Sequence, residues 1–354
     1  MIIGGEHFFS PGFLFRKSKA YVDNLIKEFQ PNYKVNFTFG GFYSILAIID
    51  EIKPKMDEAS VVLLPSYLCP SILLPFKIRG ISYKFYKVDD DLLIDTDYLL
   101  SIIDENVKAV FFVDYFGASQ LDRLQAVLET LRLKNIAIIQ DIVQCLEIKN
   151  EFLFGDYIFN SFRKFFPFEG SIILSKKDMN INYAEKRNIF IKPKRIGQLL
   201  RYFHIKYNLF SSKLFLKYLH KAEENYHQDG IFKMPKCNIK QLNKYDVQQM
   251  SANQKHYSNL LKNLFESLQP RLLQHNNFVP LGFVIKLNKR DFVRMELFAQ
   301  NIFPPIHWLL NEEFDKPLCE KSIQLSKSIL TIPLINLTKE KYNYLSENLI
   351  KILK

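Results

Sequence analysis

The chain has 354 residues, of which 48% are hydrophobic and 14% aromatic, so it can bury a core and is not a disordered or low-complexity polypeptide. That length suggests two domains. The formal net charge of +11 raises the question of an anionic partner, but the bases are dispersed, with no zinc-finger spacing, RNP motif or Gly-rich tail, so no nucleic-acid partner is expected.

The first half alternates between two kinds of segment. Short β-branched or aromatic runs predict strands at Ser60–Leu64, Ile81–Val88, Lys108–Val113, Ile136–Gln140, Tyr157–Asn160 and Ser171–Ser175. Amphipathic stretches between them predict helices at Ser18–Phe29, Phe42–Ile52, Ser71–Ile78, Thr96–Ile103 and Ser119–Leu131. Strands such as AVFFV and IAIIQ are apolar throughout, as strands buried on both faces are. Their alternation with helices predicts an α/β fold with a mostly parallel sheet.

Beyond Ser175 the pattern changes. Residues 183–225 read as a basic, aromatic-rich helical insert, with the densest charge from Lys186 to Arg201 and on through Lys213, Lys217 and Lys221. The segment MPKCN (234–238) reads as a linker, and a domain boundary is placed there: 1–235 as a large α/β domain and 236–354 as a smaller α+β domain. Residues 240–267 read as helical. The C-terminal part offers strand-like FVPLGFVIKL, a helix over Lys289–Gln300, strand-like SILTIPLI and a helix over Lys339–Leu353.

Cys69, Cys145, Cys237 and Cys319 are widely separated, so neither a metal site nor a disulfide framework is expected, and a reducing, cytoplasmic setting fits best. The start MIIGGEHFFSPG lacks a charged run followed by a long apolar one, so no signal peptide is expected, and no membrane partner is expected because no apolar stretch is long enough to span a bilayer.

The block from Ile136 to Leu174 carries the chemistry. Asp141 ends an apolar strand, and open α/β sheets bind ligands beyond the carboxyl ends of their strands. Gln144, the pair Gly155-Asp156, Ser161-Phe162, Lys164 and Gly170 follow. Alone, Asp141 reads as a helix cap and Lys164 as a surface base; it is the set that argues for a site. The block resembles the core of the DegT/DnrJ/StrS family of pyridoxal-phosphate (PLP) aminotransferases. FGGFYSILAII, VVLLPSYLCPSILLPFKIRGISYKFYKVD and AVFFVDYFGASQLDRL are similar to the family's preceding units. Further on, NIFPPIHWLLN and SILTIPLI resemble the strand pair of its small domain.

The resemblance implies a fold-type I large domain with a seven-stranded-type sheet, PLP as cofactor and a homodimer. It implies that Lys164 forms the Schiff base and that Asp141 pairs with the ring nitrogen. It also implies that Gln144 sits by the phenolic oxygen, and that Ser161, Gly41, Phe42 and Tyr43 cradle the phosphate at a helix start. His307 would approach the substrate. The substrates implied are an amino donor, by analogy glutamate, and a nucleotide-linked keto sugar for surface polysaccharide.

Some positions depart from the family pattern. Ser161 and Lys164 are three residues apart, in a compact Ser-Phe-Arg-Lys arrangement, where common members use five. Cys69 occupies the place of an aromatic residue that stacks on the cofactor, and Tyr67 is the candidate substitute. The Asn-Arg signature that reaches the partner subunit's phosphate is not recognisable, and Asn238 is the nearest match. Arg163 stays protonated, so it is a candidate for phosphate, substrate or a neighbouring carboxylate rather than a proton carrier. Three readings stay open beside the sugar aminotransferase: a PLP enzyme with a non-sugar substrate, a degenerate scaffold used for binding, and a nucleic-acid binder.

Overall fold

In the computed structural model, residues 1–5, 7, 11–186, 188–268, 271–272 and 281–354 are described. Strand β1 (Ile3–Gly4) precedes helix α1 (Tyr21–Phe29) and strand β2 (Lys34–Thr38). Helix α2 (Gly41–Ile52) and strand β3 (Val61–Pro65) follow, then α3 (Leu73–Arg79), β4 (Ser82–Tyr86), α4 (Thr96–Ser101), β5 (Val107–Val113), α5 (Leu121–Leu133), β6 (Ala137–Asp141), β7 (Tyr157–Phe159) and β8 (Ser171–Ser175). Strands β2 to β8 form one seven-stranded sheet in the order β2-β8-β7-β6-β5-β3-β4. Strands β4, β3, β5, β6 and β7 pair in parallel. Strand β8 is antiparallel to both β7 and β2, so it alone runs against the others.

The central strands are buried along their length, as continuous apolar runs in a covered parallel sheet must be. Helix α2 lies against them and is buried on almost every side. Predicted and observed elements agree in this half to within a few residues. Strand β2 is an addition to the predicted set; its pattern is short and half-buried, because it forms the edge of the sheet.

Two helices then form a hairpin, α6 (Ile191–Tyr207) and α7 (Ser212–Glu224), inside the predicted insert. The MPKCN segment is not a loose linker. Met234 is buried, and Lys236 opens α8 (Lys236–Leu242). Gly170 faces Met234 so closely that a methyl group there would come within 2.6 Å of its sulfur. The next helix, α9 (Val247–Leu268), leads to β9 (Arg271–Leu272) and β10 (Gly282–Lys286). Then come α10 (Arg290–Ala299), β11 (Ile302–Phe303), α11 (Glu320–Ser328), β12 (Ile329–Pro333) and α12 (Lys339–Leu353).

Strands β12, β10 and β9 make a small antiparallel sheet, and Leu261, Phe265, Val293, Leu297, Leu345 and Leu349 from α9, α10 and α12 share its core. The expected pairing of NIFPPIHWLLN with SILTIPLI is not found. Strand β12 pairs with β10, while Ile302 and Phe303 pair in parallel with Ile3 and Gly4. A backbone bond from the Thr331 amide to the Pro305 carbonyl, at 3.1 Å, and a side-chain bond between His307 and Thr331 link the two segments. The start of the predicted FVPLGFVIKL strand, residues 278–280, lies outside the described residues.

Candidate active site

The carboxyl ends of β5, β6 and β7 meet the N-terminus of α2 and the start of the reversed β8. A chain of hydroxyls holds α2 in place: Thr38 Oγ1 lies 2.7 Å from Ser44 Oγ, which lies 2.7 Å from Ser171 Oγ. Ser171 in turn donates to the Asn160 carbonyl at 2.5 Å. Gly40 lets Tyr226 come close, because a methyl group there would collide with the Tyr226 hydroxyl unless that ring shifted. The amides of Tyr43 and Ser44 bond back to the Gly40 carbonyl, both at 3.0 Å. The amides of Gly41 and Phe42 have no backbone partner among the described residues, which is the usual state of a helix start and favours an anion. Gly41 faces the Asn160 carbonyl and Val143.

Asp141 is the last residue of β6 and is buried. Its Oδ1 accepts from the Val143 amide at 2.8 Å. Burial raises its carboxyl to about 7, while that amide and the positive charge of Lys164 pull the other way. Lys164 ends a single 3-10 turn, Phe162–Lys164, that follows β7. Burial holds its amine below the ordinary lysine range; Arg163 adds to this, while Cys69, Asp141 and Glu169 oppose it. His7 donates from Nε2 to the Lys164 carbonyl at 3.0 Å.

Gln144 is fully buried and held by one bond, from the Phe116 amide to its Oε1 at 2.5 Å. Its Nε2 has no partner among the described residues. A buried amide donor left unpaired costs about 1–3 kcal/mol, so it marks a place where an acceptor belongs. Ser161 opens the 3-10 turn and is buried, its carbonyl accepting from the Lys164 amide at 3.3 Å.

Other expected residues are placed differently. Arg163 is engaged by carboxylates: its Nη2 donates to Glu223 at 3.2 Å, its Nε lies 3.8 Å from Glu169, and its guanidinium sits 4.7 Å from the Tyr226 ring centre. Burial works against its charge, but these acidic neighbours outweigh burial and hold it firmly protonated. Of its expected roles, the carboxylate partner is the one observed. Tyr67 has no exposed surface. It packs against Tyr115 and Trp308, with ring centres 6.0 and 5.7 Å away, and its hydroxyl serves the backbone of 307 and 308. It therefore has no open ring face for stacking. Cys69 is half-buried, with Sγ 3.0 Å from Ser71 Oγ. Asn238 is buried, donating to the Glu169 carbonyl at 2.8 Å and accepting from Arg195.

His307 is buried with its Nδ1 3.0 Å from Thr331 Oγ1. Burial and the charge of Lys164 lower it to about 3, so it is a neutral imidazole at physiological pH. His307, Thr331 and Lys164 line one cavity of about 1090 Å³, together with Lys194, Arg201 and Glu169. The cluster of Glu169, Glu223, Tyr226 and Lys194 is not among the residues the sequence points to. The one local signal for it is the doubled glycine at 40–41, which marks a close approach without naming the partner.

Asp114, another residue the sequence does not single out, is buried beside Asp141: its amide bonds the Asp141 carbonyl at 3.0 Å, and its Oδ2 accepts from Gln140 Nε2 at 2.8 Å. Burial lifts its carboxyl to about 8, and the neighbouring Asp141 adds to this.

No protein-family model and no curated protein matches the sequence. Solved structures do. Spr1654 of Streptococcus pneumoniae in its PMP form is 15% identical over 99% of this chain and 92% of its own, with a TM-score of 0.68. A DegT DnrJ EryC1 StrS aminotransferase from Brucella abortus is 14% identical over 98% of this chain and 91% of its own, with a TM-score of 0.67. The sugar aminotransferase CalS13 from Micromonospora echinospora is 12% identical over 98% and 93%, with a TM-score of 0.66. Over nearly its whole length, this chain has the fold of the DegT/DnrJ/EryC1/StrS aminotransferases.

Proposed function

We propose that the protein is a PLP-dependent aminotransferase that moves an amino group from glutamate to a nucleotide-linked keto sugar, a step in surface-polysaccharide synthesis. One observation carries the reading. A buried carboxylate, Asp141, and a half-buried lysine, Lys164, lie beyond the carboxyl ends of adjacent strands, with the unpaired Gln144 Nε2 beside the same strand end.

PLP fits these residues. When bound, it supplies an aldehyde for the lysine amine and a conjugated ring that takes up an electron pair. Asp141 would hold the proton on the ring nitrogen, and that cation would in turn draw the carboxyl back to its ionised form. Gln144 Nε2 would donate to the phenolic oxygen. The Gly41 and Phe42 amides and the Ser161 hydroxyl would hold the phosphate.

Lys164 would then move a proton between the α-carbon of the donor and the C4′ carbon of the cofactor. Burial favours its neutral, basic form, which that task requires. Neutral His307 would face the substrate from the opposite wall. Lys194 and Arg201 would draw an anionic substrate into the cavity by long-range attraction.

The same reading makes residues 1–235 the cofactor-binding part and 236–354 the smaller part. It takes the protein as a cytoplasmic homodimer whose partner subunit completes the phosphate site. The four cysteines, all unpaired, accord with a reducing compartment.

The test is direct. Protein incubated with PLP should become yellow, and borohydride should fix the cofactor to the peptide that holds Lys164, as read by mass spectrometry. Lys164→Ala should abolish that adduct. A protein that takes up no PLP would overturn the reading. Uptake without a half-reaction with glutamate would leave a binding scaffold instead.

A further inference from the structure

Helix α6 lends Lys194 and Arg201 to the cavity, but the tip of the hairpin α6–α7 takes no part in the chemistry above. Its helices hold eight Lys and Arg residues, and its acids, Glu223 and Glu224, lie at the C-terminal end of α7, away from the tip. The base of the hairpin is well packed. Phe215, Leu219 and Ala222 are buried, and Gly197 lets the helices approach so closely that a methyl group there would lie 2.8 Å from Leu219 Cδ2.

The tip is different. Ile205, Tyr207, Leu209, Phe210, Leu214 and Leu216 stand out of it, with Leu209 and Phe210 51% and 53% exposed. The turn is built, not loose. The Asn208 amide bonds the His204 carbonyl at 2.9 Å, His204 Nδ1 donates to the Phe210 carbonyl at 2.8 Å, and Ser211 caps α7 by accepting from the Leu214 amide at 3.3 Å. Asn208 lies at φ 53°, a left-handed conformation that Asn adopts readily, and Phe210 at φ 66°, where a bulky residue costs about 1–2 kcal/mol. The chain thus holds large apolar side chains outward in water, on the same two helix ends as the exposed Lys206, Lys213 and Lys217.

We propose that this tip docks the protein peripherally on an anionic lipid bilayer. Such a surface takes up both halves of the pattern. Its headgroups attract the lysines, whose stems reach past the apolar tip, while Leu209, Phe210 and Tyr207 enter the boundary of the acyl region. A second copy of the hairpin fits less well, because each copy brings only positive charge to the contact. A nucleic-acid backbone would use the lysines but offers nothing to Leu209 and Leu216. Among the described residues no helix is long and apolar enough to cross a membrane, and peripheral docking needs none. Helix α6 also walls the cavity, through Lys194, Gln198, Arg201 and Ile205, so docking would hold the cavity beside the bilayer.

The experiment is vesicle sedimentation with the full chain. It should pellet with vesicles of phosphatidylcholine and phosphatidylglycerol and not with phosphatidylcholine alone, and added salt should weaken the binding. Two variants, Leu209→Ser/Phe210→Ser and Lys206→Glu/Lys213→Glu/Lys217→Glu, should each lower the partition by about tenfold or more with unchanged thermal midpoints. Failure to pellet with anionic vesicles, or partition unaffected by both variants, would overturn the proposal. So would a serine variant that falls from dimer to monomer in light scattering without any vesicle affinity to lose. Retention on single- or double-stranded DNA in place of vesicles would overturn it in favour of a nucleic-acid surface.

Discussion

The Trp308 amide donates to the Tyr67 hydroxyl at 2.8 Å, and that hydroxyl donates in turn to the His307 carbonyl. One side chain after β3 thus secures the backbone of a segment that lies beyond β11, and with it the position of His307, which shares a cavity with Lys164. Tyr67 is buried completely, so neither bond can be replaced by water.

Tyr67→Phe should therefore destabilise the protein by about 1–3 kcal/mol, the cost of leaving a buried amide and carbonyl unpaired. Urea denaturation would measure it. Because His307 loses its tether, the Michaelis constant for the keto substrate should rise as well. An unchanged denaturation midpoint would show that the two bonds add nothing to stability.

Asp114 gives a pH dependence of stability whose sign follows from burial. Its folded-state carboxyl is raised to about 8, so the folded chain favours the protonated form. Its contribution is present below the ordinary carboxylate range and is lost as the pH rises toward about 8. Asp114→Asn cannot ionise and still accepts a bond from Gln140. Relative to the parent chain, the variant should gain stability between about pH 4 and 8, by at least about 1.4 kcal/mol, equivalent to a tenfold change in the folding equilibrium. Urea midpoints across that range would show it; parallel curves would count against it.

The two glycines ahead of α2 should behave differently. Gly40→Ala brings a methyl group into collision with the Tyr226 hydroxyl and should cost about 1–3 kcal/mol. It should also weaken PLP binding, because Tyr226 packs beside the helix start. At Gly41 the nearest neighbours lie at an ordinary 3.6 Å, so Gly41→Ala should leave the thermal midpoint unchanged or raise it slightly. Calorimetry of both variants separates the two cases.

Asp141→Asn keeps the shape of the strand end and removes its charge. If the carboxylate holds the ring proton, kcat should fall at least tenfold, about 1.4 kcal/mol of barrier, while PLP still binds. Stopped-flow measurement of the glutamate half-reaction would detect it. A full-speed Asn variant would remove Asp141 from its assigned role.

Much of the scaffold is legible in local pattern. Apolar runs bounded by turns place β3, β5, β6 and β8, because strands covered on both faces tolerate few polar residues. Asp141 and Lys164 can be found as a pair, since strand ends and the turns after them are contiguous in the chain. The edge strand β2 is not legible: Val35 and Phe37 alternate with Lys34 and Asn36 over too few residues to separate a half-buried strand from a loop. The reversal of β8 is not legible either, because an apolar run has no direction.

The sequence by itself thus determined the element order, the strand-end carboxylate and the lysine after the next strand, all from spacing and periodicity within short windows. Only the tertiary structure decided the partners. It gave Arg163 to Glu223 and Glu169, took Tyr67 away from stacking and gave it to residues 307 and 308, and set Asp114 against Asp141. It also folded the base-rich stretch visible in the sequence into one hairpin with an apolar tip. These contacts join residues far apart in the chain, and their energy comes from burial and charge in a shared volume, which no local pattern records.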